Sequence, residues 1–244
     1  MTKAIKSYGL ISKRTRWGLT IWGWLAILIT LFSCCVFTIY HLYNFLSPTK
    51  KEGSTVLVLE GYVSDYVLKE AINEFKEYSY KLLITTGTPL ERGLMLAEYT
   101  NTADLAASTL IKMGLDSTFI VVVKTDEMQN DRTYNAAMNL KEYLEEYHPE
   151  VKAINLMTLG VHGRRSQLMY QDALGDSIKV GIISAPNLFY GAHDWWKTSK
   201  GFREVMNEAF AYIFTKLLFK PYVKEDIKNS ITINKKELII HHTN

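Results

Sequence analysis

Cysteine is nearly absent. Of 244 residues only Cys34 and Cys35 carry a thiol, and they sit side by side in an apolar run. The rest of the chain therefore has neither a disulfide framework nor a cysteine-ligated metal site. Gly-x-Ser-x-Gly and His-Glu-x-x-His are missing, which removes sequence support for a serine hydrolase or a zinc peptidase. Thr86-Gly87-Thr88-Pro89 lacks the lysine of a nucleotide-binding phosphate loop. The net charge is only +3, and the basic residues gather at the ends: Lys3, Lys6, Lys13, Arg14 and Arg16 at one, Lys220, Lys224, Lys228, Lys235 and Lys236 at the other. A near-neutral middle offers no basic face to nucleic acid.

Charged residues are also missing from Trp17 to Thr49. At 1.5 Å per residue this stretch is long enough to cross a hydrocarbon core of about 30 Å as a helix. We expect a cytoplasmic segment over 1–16, a membrane-spanning helix over 17–42, a linker over 43–54, a domain over 55–220 and a tail over 221–244. Trp17, Trp22 and Trp24 at one end, and Tyr40 and Tyr43 at the other, suit the two membrane interfaces. Lys13, Arg14 and Arg16 keep the N-terminus cytoplasmic under the positive-inside bias, which puts the domain outside. A cleaved signal peptide and a lipoprotein signal ending at Cys34 are the alternatives. No Ala-x-Ala cleavage site is present, Phe32 is a poor fit to a lipobox, and the apolar run continues past Cys34, which favours the anchor.

Downstream, short apolar runs alternate with helical spacing. Thr55 to Glu60 predicts a buried strand. Ser64 predicts a cap for a helix with Val67, Leu68, Ala71, Ile72, Phe75 and Tyr78 on one face, and Lys81 to Thr85 a second strand. Helices are expected over Thr102 to Met113, over Arg132 to Tyr147, and from His162 to near Gly175. Strands are expected at Phe119 to Val123, Val151 to Thr158 and Ile178 to Ile183. This order implies an α/β fold: a Rossmann-like, mainly parallel sheet with helices on both faces, preceded by one transmembrane helix. Ligands of such sheets bind beyond the strand C-termini.

The richest of these ends is Gly160-Val161-His162-Gly163-Arg164-Arg165, where a strand passes through glycine into a helix start. His162 there is a candidate proton-transfer residue, and Arg164 and Arg165 are candidate anion ligands. The bland alternative is that His162 caps the helix and the arginines face solvent. Asn130-Asp131-Arg132-Thr133-Tyr134-Asn135 precedes another helix; Asp131 is a candidate acid or base, Thr133 and Asn135 candidate ligand contacts, and capping explains Asp131 and Thr133 equally well. Glu60 is a candidate base, and Gly61 and Gly87 are places where a ligand can approach the backbone. His193-Asp194-Trp195-Trp196 reads as a rim or as packing. No pattern names a cofactor, and no metal site is expected.

The first strand Val56 to Gly61, the strand end Ile84-Thr85-Thr86-Gly87, Thr133-x-Asn135-Ala136, Thr158 with His162-x-x-Arg165, and the late Trp196, Arg203 and Glu208 together resemble the YdcF/SanA/ElyC family of envelope-associated bacterial proteins. The match spans Thr55 to Phe219. Glu60-Gly61-Tyr62 and Thr86-Gly87-Thr88 depart from the family's glycine-rich turns. The resemblance implies a bacterial plasma-membrane protein of cell-envelope and peptidoglycan biogenesis that binds a phosphorylated or sugar-containing, lipid-linked precursor and acts on it by phosphoryl or glycosyl chemistry. A non-catalytic scaffold regulating peptidoglycan synthesis is the alternative, and S-adenosylmethionine binding a lower one.

Overall fold

In Val56-Leu57-Val58-Leu59-Glu60 every side chain is buried, because the strand has a covered sheet surface on each side. Leu57 and Leu59 pack with Val67, Leu68, Ala71, Ile72 and Phe75 of one helix and with Ala106 and Leu110 of another. Val56 and Val58 point the other way, into Ala137, Leu140 and Leu144 of a third helix and Tyr170, Ala173 and Leu174 of a fourth. The two-residue side-chain period of a strand thus divides one apolar run between two cores.

The structure is a computed structural model that describes residues 20–93, 95–125 and 131–220. The segment 1–16, the tail 221–244 and Asn130 fall outside them. The elements run α1 (Ile21–Leu46), β1 (Thr49–Lys50), β2 (Val56–Glu60), α2 (Asp65–Glu77), β3 (Leu82–Gly87), α3 (Thr102–Lys112), β4 (Ile120–Lys124), α4 (Arg132–Tyr147), β5 (Ala153–Leu159), α5 (Gly163–Leu174), β6 (Lys179–Ala185) and α6 (Ser199–Leu217). Sheet order is β1-β6-β5-β2-β3-β4, parallel except for the edge pair of β1 with β6. Starting at β2, the chain fills the sheet outward through β3 and β4, then returns to lay β5 on the opposite side of β2. This Rossmann-like progression leaves a switch point between β2 and β5.

The chain divides into one unit over Met1–Tyr40 and a second over His41–Asn244. In the first, α1 is long and apolar enough to cross a membrane. It also runs further than the expected 17–42, ending at Leu46. In the second, Tyr43 and Leu46 are buried, so the expected linker begins inside the domain. The next stretch is also tied down. Thr49 and Lys50 pair with Ile183 and Ile182, Ser184 Oγ donates to the Pro48 carbonyl at 2.6 Å, and buried Asn155 exchanges two hydrogen bonds with the Glu52 backbone, at 2.8 and 3.0 Å. A polar run read as linker is an edge strand because partners on β5 and β6 satisfy its backbone. Ser64 occupies the N-cap position of α2, but its side chain makes no capping hydrogen bond. The spacing pattern leaves α6 unassigned.

Gly61 and Gly87 are required by packing. A Cβ on Gly61 would lie 2.6 Å from the Thr102 carbonyl oxygen, and one on Gly87 would overlap the Thr102 hydroxyl and the Ala103 nitrogen. Both strand ends touch the first turn of α3, where backbone cannot yield. Gly61→Ala is expected to lower stability by about 2 kcal/mol, or roughly 4–8 °C in Tm, in a melt of the detergent-solubilised chain. An unchanged Tm would contradict this packing role.

Candidate functional site

The end of β2 and the end of β5 lie side by side at the switch point, and each delivers polar groups. β2 ends in Glu60, whose side chain is 3% exposed. Tyr62 donates its hydroxyl to Glu60 Oε2 at 3.1 Å, and Ser166 donates to the same oxygen at 3.0 Å. The Tyr62 hydroxyl also lies 2.9 Å from the buried Thr158 Oγ1 of β5. Desolvation, together with the neighbouring Glu60 charge, pushes the Tyr62 phenol well above its ordinary pKa, so it remains a donor at neutral pH. On the next strand Thr86 Oγ1 meets the Tyr170 hydroxyl at 2.8 Å.

Beyond β5 a single turn of 3-10 helix, Gly160–His162, leads into α5. Gly160 takes a positive φ of 50° there, a conformation that costs glycine little. His162 stands at the N-cap of α5 without capping it; its ring reaches α6 instead. Nδ1 lies 2.8 Å from Glu208 Oε1. Arg165 grips the same carboxylate from its other side, Nε to Oε2 at 2.8 Å and Nη2 to Oε1 at 3.0 Å. Burial pushes the Glu208 carboxyl up, but hydrogen bonds from His162 and Arg165 and their charges outweigh it and hold the pKa at about 2. Burial likewise opposes the charge on Arg165, and the Glu208 bond and charge raise its pKa regardless.

The network favours one imidazole tautomer. Glu208 only accepts, so Nδ1 bonds it at 2.8 Å as a donor; Arg165 Nη2, itself only a donor, lies 2.9 Å from Nδ1 and 3.0 Å from Oε1, and directs its proton to Oε1. With the proton on Nδ1, Nε2 carries the lone pair in neutral His162. Among the described residues Nε2 has no hydrogen-bond partner. The ring is flanked edge to face by Tyr62, centroids 5.5 Å apart, and its side chain retains 16% exposure. A charge-balanced Arg165–Glu208 pair that orients a histidine lone pair can accept a proton from a bound ligand and stabilise the resulting imidazolium.

The structure brings Glu60, His162 and Arg165 together, joined by Tyr62, Thr158, Ser166 and Glu208. It directs Arg164 elsewhere. That guanidinium donates through Nε to the Phe45 carbonyl at 2.8 Å and lies over the Phe45 ring at 4.7 Å, completing the C-terminal turn of α1. Asp131, Thr133 and Asn135 open α4, which follows the edge strand β4, two strands from β2. Asp131 adopts a left-handed conformation with φ 61° and makes no side-chain capping bond. Neither it nor Thr133 bonds the His162 cluster among the described residues. Gly61 and Gly87 lie close by, but α3 already occupies the space a ligand would use. Trp195 is packing: it is buried between Trp196 and Phe202. No group of three or more His, Cys, Asp or Glu side chains among the described residues is placed to hold a metal ion.

Sequence reasoning gave no role to Tyr62, Ser166 or Glu208. Ser166 had a legible signal: it falls one helical turn after His162 on the face that carries Met169 and Tyr170, where a serine needs a partner. No protein-family model matches the chain, and no curated protein sequence matches it significantly.

Proposed function

We propose that the chain is a membrane-anchored protein of the bacterial cell envelope whose domain binds a phosphorylated or sugar-containing precursor beyond the ends of β2 and β5, with His162 as the proton-transfer group. The observation that carries this reading is the His162–Glu208–Arg165 network at the switch point. In it, Nε2 accepts a proton from the attacking water or hydroxyl, Glu208 stabilises the imidazolium, and Arg165 keeps Glu208 ionised. Because Arg165 is committed to Glu208, binding of an anionic ligand falls to backbone N–H groups at the start of α5 and to Tyr62. Resemblance to the YdcF/SanA/ElyC family supports the envelope assignment. Lys13, Arg14 and Arg16 support a cytoplasmic N-terminus, with the domain outside the plasma membrane.

The test is a thermal-shift screen of the full chain in detergent against lipid-carrier phosphates, nucleotide sugars, cell-wall fragments and S-adenosylmethionine. A lipid-carrier phosphate or sugar precursor is expected to raise Tm in wild type, and in His162→Ala as well, because His162 moves a proton rather than holding the ligand. Stabilisation by S-adenosylmethionine alone, or by none of these, would contradict the proposal.

A further inference from the structure

We propose that the outward face of α6, with the neighbouring loop at Leu188 and Phe189, lies in the interfacial layer of the bilayer that α1 enters. The proposal rests on reading α1 as a membrane span. Helix α6 exposes a run of large apolar residues over its last turns while it buries Val205. Its two acids turn to the protein: Glu204 accepts from Tyr190, and Glu208 from His162 and Arg165. Its outward side carries Phe210, Ile213, Phe214, Leu217 and Leu218, each more than half exposed, Leu217 at 74%. At 100° per residue these five fall within one arc over the last turns. Such a contiguous apolar surface needs an occupant.

Connectivity and charge identify that occupant as lipid. Phe45 packs edge to face on Tyr212 of α6, and Tyr43 on Tyr190, two residues from Leu188. Both contacts use the last turn of α1, three to five residues beyond Tyr40. Tyr212 and Tyr190 are thus joined to the chain only three to five residues, about 5–8 Å along the helix, past Tyr40. Leu188 and Phe189 are each 66% exposed, and Lys200 Nζ lies 3.9 Å over the Phe189 ring. Exposed Lys200, Arg203 and Lys216 lie on the same helix, and exposed Lys197 and Lys220 flank its two ends. An apolar face edged by lysine and arginine beside a membrane helix is the pattern of an amphipathic helix lying in a lipid interface, several ångströms deep among anionic headgroups.

The experiment uses the full chain with Cys34→Ser and Cys35→Ser in nanodiscs of phosphatidylglycerol and phosphatidylcholine. An environment-sensitive fluorophore is attached singly at Phe214→Cys, Leu217→Cys, Lys112→Cys or Ser33→Cys, and brominated lipids serve as quencher. We expect strong quenching at 33, 214 and 217 and none at 112, which lies at the end of α3. For 214 and 217, raising the phosphatidylglycerol fraction should deepen the quenching. Quenching at 33 without quenching at 214 and 217 overturns the proposal, whether a second copy or another part of the chain covers the helix. Loss of quenching at 33 overturns the anchor itself, a separate failure.

Discussion

His162→Ala is expected to reduce turnover of a phosphorylated precursor by about 10²–10⁴-fold, the range for removing a positioned general acid or base, while leaving the fold in place. The stability cost should stay near 1 kcal/mol, because Glu208 keeps both hydrogen bonds from Arg165 and loses only one partner. His162→Gln, which retains a donor toward Glu208 but has no imidazole, should be as inactive as the alanine variant and melt closer to wild type. Initial rates and melts of the three proteins check this. Full activity in either variant would remove His162 from the chemistry.

Glu208→Ala should have the largest effect on stability. Arg165 is 18% exposed and Glu208 is 19% exposed, so deleting the carboxylate strands a largely buried guanidinium, with a typical cost of about 3–5 kcal/mol. It also releases the His162 tautomer, so activity should fall with stability. The same pair makes a pH prediction. Folding lowers the Glu208 pKa from 4.5 to about 2, equivalent to roughly 3 kcal/mol. A depressed acid contributes its stability above the unfolded pKa and loses it as pH falls toward the folded one. Between pH 5 and 2.5 the wild-type Tm should therefore fall more steeply than that of Glu208→Gln, and the two curves should converge. Parallel curves would show that Glu208 is not the linked group.

The run Val56 to Glu60 announced a strand buried on both sides, and periodicity found the helices α2 to α5 to within a few residues, since each buries one apolar stripe. The first part of the expected linker, 43–54, continues α1, and its later part is edge strand. Composition gives a polar backbone no way to foresee Asn155, more than a hundred residues away, satisfying Glu52. α6 defeats pattern reading for a different reason. It carries large apolar residues on its exposed side as well as its buried one, and both its carboxylates turn inward, so no single apolar stripe marks the side facing the core. Glu208 could thus be noticed only through a family resemblance, without a role. His162 and Arg165 were legible as chemistry-bearing residues at a strand end. That Arg165 serves Glu208, and that Arg164 serves Phe45, depends on two helices and a chain reversal that meet only in three dimensions.

Glu208 and Arg165 hold neutral His162 with its proton on Nδ1 and its lone pair on Nε2, ready to take a proton from a bound ligand. Histidine-selective ¹⁵N NMR of the full chain in detergent, with His162 assigned by loss of its signals in His162→Ala, reads this directly. In the neutral imidazole a protonated Nδ1 and an unprotonated Nε2 are expected, with the Nε2 resonance moving when a phosphorylated precursor is added. A proton on Nε2 of the neutral ring, or an Nε2 resonance indifferent to a ligand that binds, would contradict this arrangement.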